Sequence, residues 1–373
     1  MMIMMGRSVV VVAALAFGGF LVAAVTGCPP SDKAALMALK SSLTEPYLRI
    51  FDSWNPNSDC CSGWDGVHCD PANRRVSDIS LRGDSEDPIF EKAGRTGLMS
   101  GSIHPSICNL DRLTTFVLAD WKSISGEIPS CLTSLSYLRI LDLVGNSLSG
   151  KIPPSIGNLR RLAVLNLADN QISGEIPASL TSLSELKHLD LSGNRLTGRI
   201  PNDLGSLKML SRALMDRNQL SGPIPSSIGR LDRLADLDLS LNRLSGQIPE
   251  TVGKMRVLSV LNLGGNQLTG EIPATVLSNG GLGIVNLSRN ALEGKIPDVL
   301  GPKSYMMVLD LSYNNLVGDV PRSLSAAQYV GHVDLSHNHL CGHIPAGTPP
   351  FARLEAPSFS GNDCLCGGPL PSC

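Results

Sequence analysis

Ten cysteines are the residues of this sequence with the most obvious chemistry. They stand in two groups, with no cysteine between Cys131 and Cys341. The ten are Cys28, Cys60, Cys61, Cys69, Cys108, Cys131, Cys341, Cys364, Cys366 and Cys373. In an exported chain, an even number gathered towards the two ends predicts disulfides that hold the termini of one elongated body. Zinc is the alternative, because Cys364 and Cys366 are closely spaced, but the partner spacing of a zinc site is missing.

Histidines offer a second kind of chemistry near the C-terminus. The four that lie close together in sequence are His332, His337, His339 and His343, and they raise metal binding as a hypothesis. No nucleophile elbow, phosphate-binding loop or HExxH motif occurs in the sequence. We therefore expect a protein that is not an enzyme and that has no cofactor.

A repeat must position these residues, because asparagines recur with a 24-residue period without a slip. The nine are Asn146, Asn170, Asn194, Asn218, Asn242, Asn266, Asn290, Asn314 and Asn338. Around each runs L-x-x-L-x-L-x-x-N-x-L-x-G-x-I-P, as in residues 138–153. Two imperfect copies precede them: one over 115–129 with an extra residue, and one from Val76 with an insertion before Leu98. The sequence thus predicts about eleven coils.

One coil of this pattern cannot close a core alone, so successive coils must stack. The L-x-L step alternates inward and outward as a short strand does, and strands of successive coils would pair in a parallel sheet. The asparagine amide satisfies backbone groups where the chain turns off the strand, and Ile-Pro keeps the return path extended. The pattern predicts a right-handed solenoid with a parallel concave sheet, and with short strands and 3₁₀ turns on the convex side.

Two columns of outward-facing side chains would line the concave sheet. The column between the leucines of each L-x-L step is Asp142, Asn166, Asp190, Leu214, Asp238, Asn262, Asn286, Asp310 and Asp334. The neighbouring column is Ile140, Val164, His188, Arg212, Asp236, Val260, Ile284, Val308 and His332. Our candidate binding residues on this face are Asp142, Asp190, His188, Arg212, Asp236, Asp238, Asp310, His332 and Asp334. The alternative is that Asp and Asn are the ordinary solvated filler of such a repeat.

Three details of the repeat frame bear on chemistry. Where the other coils have L-x-L, one has Ala213-Leu214-Met215, which predicts a local apolar contact, a shallow hollow or repacking by the methionine. Asn286-Leu287-Ser288 is the only N-glycosylation sequon, and we expect its sugar to cover part of the concave face. The four histidines fall on the strand, the turn and the convex connection, so the frame does not bring them together.

Residues 1–27 have the layout of a secretory signal peptide, with Arg7 before an apolar run from Val9 to Val25. A membrane anchor is the alternative, but the run is short for a span and contains two glycines. Because Arg7 is the only charged residue there, removing the segment moves the formal net charge from −2 to −3. Nothing in that balance attracts polyanions. We expect a secreted protein of the extracellular space or cell wall, with no membrane span in the mature chain.

Caps should close both ends of the array. The expected domains are the signal peptide 1–27, an N-terminal cysteine-rich cap 28–75, the coils 76–345 and a C-terminal cysteine-rich cap 346–373. A helix from Asp32 to about Leu43 should begin the first cap, with Ser31 as its N-cap and Asp32 at its positive end. We expect the disulfides Cys28–Cys60, Cys61–Cys69, Cys108–Cys131, Cys341–Cys364 and Cys366–Cys373, although spacing alone leaves other pairings open.

The coil motif L-S/T-G-x-I-P resembles that of the plant extracellular leucine-rich-repeat family, over the whole mature chain. In particular the chain is similar to secreted leucine-rich-repeat proteins of the DNA-damage-repair/toleration type. The stretches that look alike are 116–122, 286–294, 330–334 and 364–370. Its cap layout and coil type also resemble those of polygalacturonase inhibitors. The resemblance implies a leucine-rich-repeat solenoid, secretion and disulfide-stapled caps.

The expected function is binding of a protein or peptide ligand in the extracellular space, in defence or cell-wall signalling. One alternative is an inhibitor that occludes a cell-wall-degrading hydrolase of the polygalacturonase type. A second alternative is a DNA-damage tolerance factor, as the family name suggests. We expect no nucleic-acid partner, since the chain is acidic overall and its start is secretory.

Overall fold

The structure is a computed structural model, and it describes residues 27–83, 97–301, 304–327, 329–347 and 351–373. The predicted signal peptide lies outside these residues except for Gly27, as does most of the insertion that precedes Leu98. Within the described ranges, no helix combines the length and the apolar character that a bilayer crossing requires.

The N-terminal cap begins with the helix α1, Pro30–Ser41, followed by β1, Leu43–Thr44. The prediction that Ser31 caps this helix is wrong. The N-cap residue is Pro29, whose own N–H is missing and whose fixed backbone suits a helix start, and no side chain bonds to the free N–H groups. Ser31 lies inside the first turn and donates to Asp32. Leu43 falls beyond the helix, in β1, although it is buried as expected.

Asp32 lies in the first turn of α1, as predicted, and it also has a role that the sequence did not indicate. Its side chain is completely buried, and it forms an ion pair with Arg75, whose Nη2 lies 2.9 Å from Oδ1. The Arg75 Nε and the backbone N–H of Val76 both donate to Oδ2, at 2.9 and 3.0 Å. The carboxylate thus joins α1 to the first strand of the repeat. Arg75 also pairs with the exposed Asp111, and the hydrogen bond to Asp32 raises the pKa of Arg75.

A twelve-stranded sheet forms the concave face. In spatial order its strands are β2 (Val67–Cys69), β3 (Val76–Arg82), β5 (Thr115–Ala119), β7 (Ile140–Asp142), β9 (Val164–Asn166), β11 (His188–Asp190), β13 (Arg212–Leu214), β15 (Asp236–Asp238), β17 (Val260–Asn262), β19 (Ile284–Asn286), β21 (Tyr305–Asp310) and β23 (Tyr329–Asp334). The cap strand β2 is antiparallel to β3, and all later pairs are parallel. Partners from β7 onwards occupy the same position of successive repeats, so each column stays in register, as in Ile140 beside Val164.

The rest of each coil carries a second row of strands and a tight helical turn. This row is β1, β4 (Met99–Ser102), β6 (Lys122–Glu127), β8 (Ser147–Ser149), β10 (Ser173–Glu175), β12 (Arg195–Thr197), β14 (Ser221–Gly222), β16 (Arg243–Gly246), β18 (Gln267–Glu271), β20 (Ala291–Lys295), β22 (Asn315–Gly318), β24 (His339–His343) and β25 (Cys364–Cys366). The 3₁₀-helices are Ile50–Asp52, Pro105–Asn109, Ser130–Ser134, Ile156–Asn158, Ala178–Ser182, Leu204–Ser206, Ser226–Arg230, Val252–Lys254, Phe351–Arg353 and Ala356–Phe359. Two coils have short α-helices instead, Ala274–Leu277 and Arg322–Ala326. The predicted leucine-rich-repeat solenoid is confirmed.

Buried asparagines connect neighbouring coils. In the middle of the array, Nδ2 of Asn218 donates to the carbonyls of Leu191, Met215 and Asp216, at 2.9, 3.2 and 3.1 Å. Its Oδ1 accepts the backbone N–H of Leu196 at 3.0 Å. One amide therefore satisfies backbone groups of two coils, in a core otherwise filled by leucine and isoleucine.

We call this series of buried, hydrogen-bonded asparagines the asparagine ladder. The extra residue in the coil before Asn146 interrupts it. Asp120 and Lys122 adopt left-handed φ angles of 62° and 64°, which turn the chain around the additional position. Asn146 still donates to the carbonyl of Leu118 at 2.8 Å, but its buried Oδ1 has no hydrogen-bond partner. Elsewhere in the ladder that oxygen accepts an N–H from 22 residues upstream, as Asn170 does from Leu148.

The C-terminal cap continues the repeat frame. Asn362 follows Asn338 by one full repeat and adds a tenth rung that sequence analysis missed. Its Nδ2 donates to the carbonyls of Leu335 and Phe359, at 3.1 and 2.9 Å, and its Oδ1 accepts from Leu340 N at 3.0 Å. The cap is thus a truncated coil with Phe359 at a position that leucine occupies elsewhere.

All ten cysteines are joined in disulfides. The pairs in the structure are Cys28–Cys60, Cys61–Cys69, Cys108–Cys131, Cys341–Cys364 and Cys366–Cys373. Cys108–Cys131 connects two adjacent coils, and Cys341 faces Cys364 in register between β24 and β25. Two bridges therefore cross between neighbouring coils, and the others close loops inside the caps.

Candidate functional site: the concave sheet

We call the residues from Asp142 to Asp334 that end each strand the strand-end column. It is Asp142, Asn166, Asp190, Leu214, Asp238, Asn262, Asn286, Asp310 and Asp334. In each of its Asp and Asn residues, Oδ1 accepts the backbone N–H two residues later, at 2.9–3.3 Å. Where a serine occupies that later position, its hydroxyl donates to the same oxygen in four coils, as Ser240 does to Asp238 at 2.7 Å. These side chains therefore close the turn after each strand.

This structural role limits which carboxylates are available to a ligand. Asp142 uses its second oxygen for Arg82 at 2.6 Å, and Asp238 uses its own for Asn262 at 2.9 Å. Oδ2 of Asp190, Asp310 and Asp334 has no partner among the described residues. Of the five carboxylates in this column, three therefore keep one oxygen each for recognition.

We call the residues two positions before the strand-end column the strand-start column, because they begin each strand from β7 to β19; in the longer strands β21 and β23 they lie inside the strand. This column carries the other predicted binding residues; it is Ile140, Val164, His188, Arg212, Asp236, Val260, Ile284, Val308 and His332. Its charged centre is Arg212, whose Nε donates to Asp236 across the strand pair at 3.2 Å, with His188 on the other side. Burial, and then the Arg212 charge, lower the pKa of His188. His332 is exposed at the far end of the column. The middle of this column is charged, and the stretch from Val260 to Val308 is apolar.

The coil with leucine instead of Asp or Asn at the strand end has a carboxylate two positions later. Ala213 and Met215 are fully buried, and Leu214 is half-buried on the concave face. Asp216 occupies the position of Ser192 and Ser240 in the adjacent coils, and its carboxylate pairs with Arg217 at 2.9 Å. Burial raises the pKa of Asp216, and the Asp238 charge adds to this increase. The folded chain therefore holds this carboxylate at a free-energy cost near neutral pH.

Replacing Asp216 by serine should stabilise the protein near neutral pH. Because the folded-state pKa of Asp216 is raised, its cost is present above that pKa and disappears as the carboxyl group is protonated at low pH. We expect a gain of about 0.5 kcal/mol in the free energy of unfolding at neutral pH, and a smaller gain near pH 3. Urea unfolding at both pH values measures this. The exposed Asp232→Ser is the control, and an equal effect of the two substitutions would contradict the explanation.

An aromatic patch extends the C-terminal end of this face. Tyr305 and Tyr329 begin β21 and β23 in register, and their rings stack with centroids 4.2 Å apart. The two side chains are 51% and 41% exposed, and Met307 beside them is 41% exposed. Met307 lies between Gly283 and Gly331, which have no side chains to cover it. This patch was not predicted, although the sequence carries a signal for it: two tyrosines stand at the same position of successive repeats.

The four C-terminal histidines lie on different surfaces. His337 stacks on Tyr313 with ring centroids 4.1 Å apart, and His339 lies 3.2 Å from Asp363. His343 contacts the carbonyl of Ile344. Among the described residues, the one cluster of three potential metal ligands is Cys28, Cys60 and Cys61, whose sulfur atoms are all in disulfides.

Comparison with known proteins agrees with this architecture. Family models match the chain as a leucine rich repeat N-terminal domain over 29–70, a leucine-rich repeat region over 99–244 and leucine rich repeats over 257–278 and 305–327. The DNA damage-repair/toleration protein DRT100 of Arabidopsis thaliana is 63% identical over 127 residues, 34% of each chain. A polygalacturonase inhibitor of Vitis vinifera is 34% identical over 116 residues, 31% of this chain and 30% of the relative. The chain thus matches about a third of the length of these curated relatives.

Solved structures resemble nearly the whole chain. A plant ice-binding protein is 30% identical with a TM-score of 0.72, covering 93% of this chain and 99% of the other. The leucine-rich-repeat ectodomain of the Arabidopsis receptor kinase HAESA, in complex with a peptide hormone ligand, is 28% identical with a TM-score of 0.71. That match covers 90% of this chain and 53% of the ectodomain. The chain therefore belongs to the leucine-rich-repeat proteins, and among them it resembles the DNA damage-repair/toleration type and the polygalacturonase inhibitors of plants.

Proposed function

We propose that this chain is a non-catalytic, secreted binding module that recognises an extended peptide or a protein segment along the strand-start column. The observation that carries the proposal is the aromatic patch of Tyr305, Met307 and Tyr329, which lies beside the last two coils of that open column. Exposed tyrosines are favoured anchors at protein interfaces because each contributes a large apolar area and a polar hydroxyl. The disulfides and the signal-peptide layout of residues 1–27 support secretion.

The column also suggests the size and chemistry of the ligand. From β23, which carries Tyr329, to β13, which carries Arg212, there are five strand spacings of about 4.8 Å, or roughly 24 Å. An extended segment of about seven residues spans that length at roughly 3.3 Å per residue. It would place an apolar side chain on the tyrosines, pass the apolar stretch at Val260 and Ile284, and present charge to the Arg212–Asp236 pair. The peptide hormone bound to the HAESA ectodomain gives this ligand class a precedent in a related fold.

Capture from plant extracellular fluid tests the proposal. The secreted chain, a Tyr305→Ala/Tyr329→Ala variant and a Tyr47→Ala control would be immobilised, and captured proteins and peptides would be quantified by mass spectrometry. Tyr47 is 54% exposed but lies in the N-terminal cap, away from the patch. We expect the double variant to lose a ligand about tenfold or more, since tyrosine anchors contribute about 2 kcal/mol or more, while Tyr47→Ala retains it.

A ligand held equally by all three proteins, or none reproducibly captured, would contradict the proposal. The polygalacturonase inhibitors among the relatives favour a second candidate function, inhibition of a wall-degrading hydrolase. Loss of polygalacturonase activity on mixing with the wild-type chain would support that second function. The same variants would then show whether the aromatic patch makes the contact.

A further inference from the structure

Three asparagines occupy the strand-end column, and only one can accept an N-linked sugar. The residues two positions later are Ala168 after Asn166, Gly264 after Asn262 and Ser288 after Asn286. The transfer of an N-linked sugar needs a serine or threonine hydroxyl at that position, so Asn286 is the acceptor. Asn286 lies on an open sheet face, so the groups around its amide nitrogen determine whether the folded coil has room for a sugar.

The amide nitrogen of Asn286 is free in the folded chain, in contrast to that of Asn262. Oδ1 of Asn286 accepts the backbone N–H and the hydroxyl of Ser288, at 3.0 and 2.7 Å, which fixes the orientation of the carboxamide. No described residue accepts a hydrogen bond from its Nδ2. In the preceding coil, Nδ2 of Asn262 donates to Asp238 at 2.9 Å and to the hydroxyl of Ser240 at 3.2 Å.

Two replacements one coil earlier explain the difference between the two asparagines. Asn262 stands where Asp238 offers a carboxylate, and Gly264 stands where Ser240 offers a hydroxyl, so both acceptors are missing beside Asn286. A Cβ at Gly264 would lie 2.9 Å from both Nδ2 and Oδ1 of Asn286. A sugar on Nδ2 would therefore break no hydrogen bond of the folded coil. The missing side chain at Gly264 also leaves space for it.

We propose that Asn286 carries an N-linked glycan and that the missing side chain at Gly264 leaves room for it in the folded solenoid. In the transfer, Nδ2 forms a bond to the anomeric carbon of an oligosaccharide linked to a lipid pyrophosphate. The bond from that carbon to the pyrophosphate oxygen breaks, and the amide proton leaves as the lipid pyrophosphate departs. The reaction takes place on the chain before it folds, since Ser288 is buried in the finished coil.

The glycan would also restrict where a ligand can bind, a consequence that rests on the proposed function. Asn286 is in register with Asn262 on one side and Asp310 on the other, so the sugar would shield the strand-end column there. The strand-start column lies two residues earlier on every strand, and the aromatic patch begins still earlier on β21 and β23. A ligand would therefore be directed towards the strand-start column.

Mass spectrometry of the chain secreted by plant cells tests the modification without any ligand. We expect the peptide containing Asn286 to carry a glycan mass that peptide N-glycosidase removes, and Ser288→Ala to abolish it. Val317→Thr provides the control, because it makes a sequon at Asn315, where both positions are exposed on a neighbouring strand row. An unmodified Asn286 in a preparation whose Asn315 is glycosylated would overturn the proposal.

The role of Gly264 has its own measurement. Gly264→Ala should lower the Tm more in the glycosylated chain than in the same chain produced without glycosylation, because the added methyl group competes with the linkage for space. Equal shifts in the two preparations would show that Gly264 does not accommodate the sugar. A glycosylated chain that binds no ligand would instead contradict the proposed function alone.

Discussion

Replacing Asn218 by leucine should lower the free energy of unfolding by about 3 kcal/mol or more, because it leaves several buried backbone groups without a partner. The N–H of Leu196 and the carbonyl of Leu191 lie in the core and would both lose their hydrogen bonds to the amide. Each buried backbone group left unpaired costs about 1–3 kcal/mol. Circular dichroism during urea unfolding measures the change, since the ladder runs through the whole array.

Two other asparagines provide internal controls for this prediction. The Asn166 side chain faces outward and accepts one hydrogen bond, from the backbone N–H of Ala168 at 3.2 Å, so Asn166→Ala should cost about 1 kcal/mol or less. Asn146 is buried but its Oδ1 has no partner, so Asn146→Leu should cost less than Asn218→Leu. If the three substitutions had equal effects, the hydrogen bonds of the ladder would not be the source of the stability.

The fold was predictable because every coil repeats the same local solution. The constant spacing of the asparagines defines the register, and the inward leucines define the core, so both could be assigned without long-range information. Asn362 was missed because Phe359 and Cys364 stand where the repeat has leucine, while the backbone still follows the repeat. The unpaired oxygen of Asn146 could not be foreseen either, since it depends on how one extra residue is accommodated in the turn of the preceding coil.

The candidate site was less predictable than the fold. The sequence places Asp238 and Asp310 on the concave face, but only the structure distinguishes a carboxylate whose oxygens are both bound from one with a free oxygen. The two tyrosines of the aromatic patch precede the repeat motif, in strands that begin earlier than those of most other coils. A pattern based on the repeated core of each coil does not include them, because their positions carry no packing requirement.

The contact between the N-terminal cap and the first coil was also outside the reach of local patterns. Asp32 is in the first turn of α1, where an acidic residue has a sufficient local explanation in the helix dipole. Its partner Arg75 follows 43 residues later, and no periodicity connects the two. The ion pair can be recognised only once the cap is docked on β3.

Replacing Asp32 by alanine should therefore destabilise the N-terminal end by about 3 kcal/mol. Removing one partner of a buried ion pair typically costs about 3–5 kcal/mol, and the lower end applies because the Arg75 side chain remains 25% exposed. Asp111→Ala removes the other partner of Arg75. The Asp111 side chain is 63% exposed, so this substitution should cost about 1 kcal/mol or less.

All three tryptophans lie in the cap and the first coils, so their fluorescence reports on this end. In Asp32→Ala we expect the fluorescence transition to occur at a lower urea concentration than the circular dichroism transition, because coils interact mainly with their neighbours. Equal effects of the two substitutions would mean that Asp32 does not hold the cap on the array.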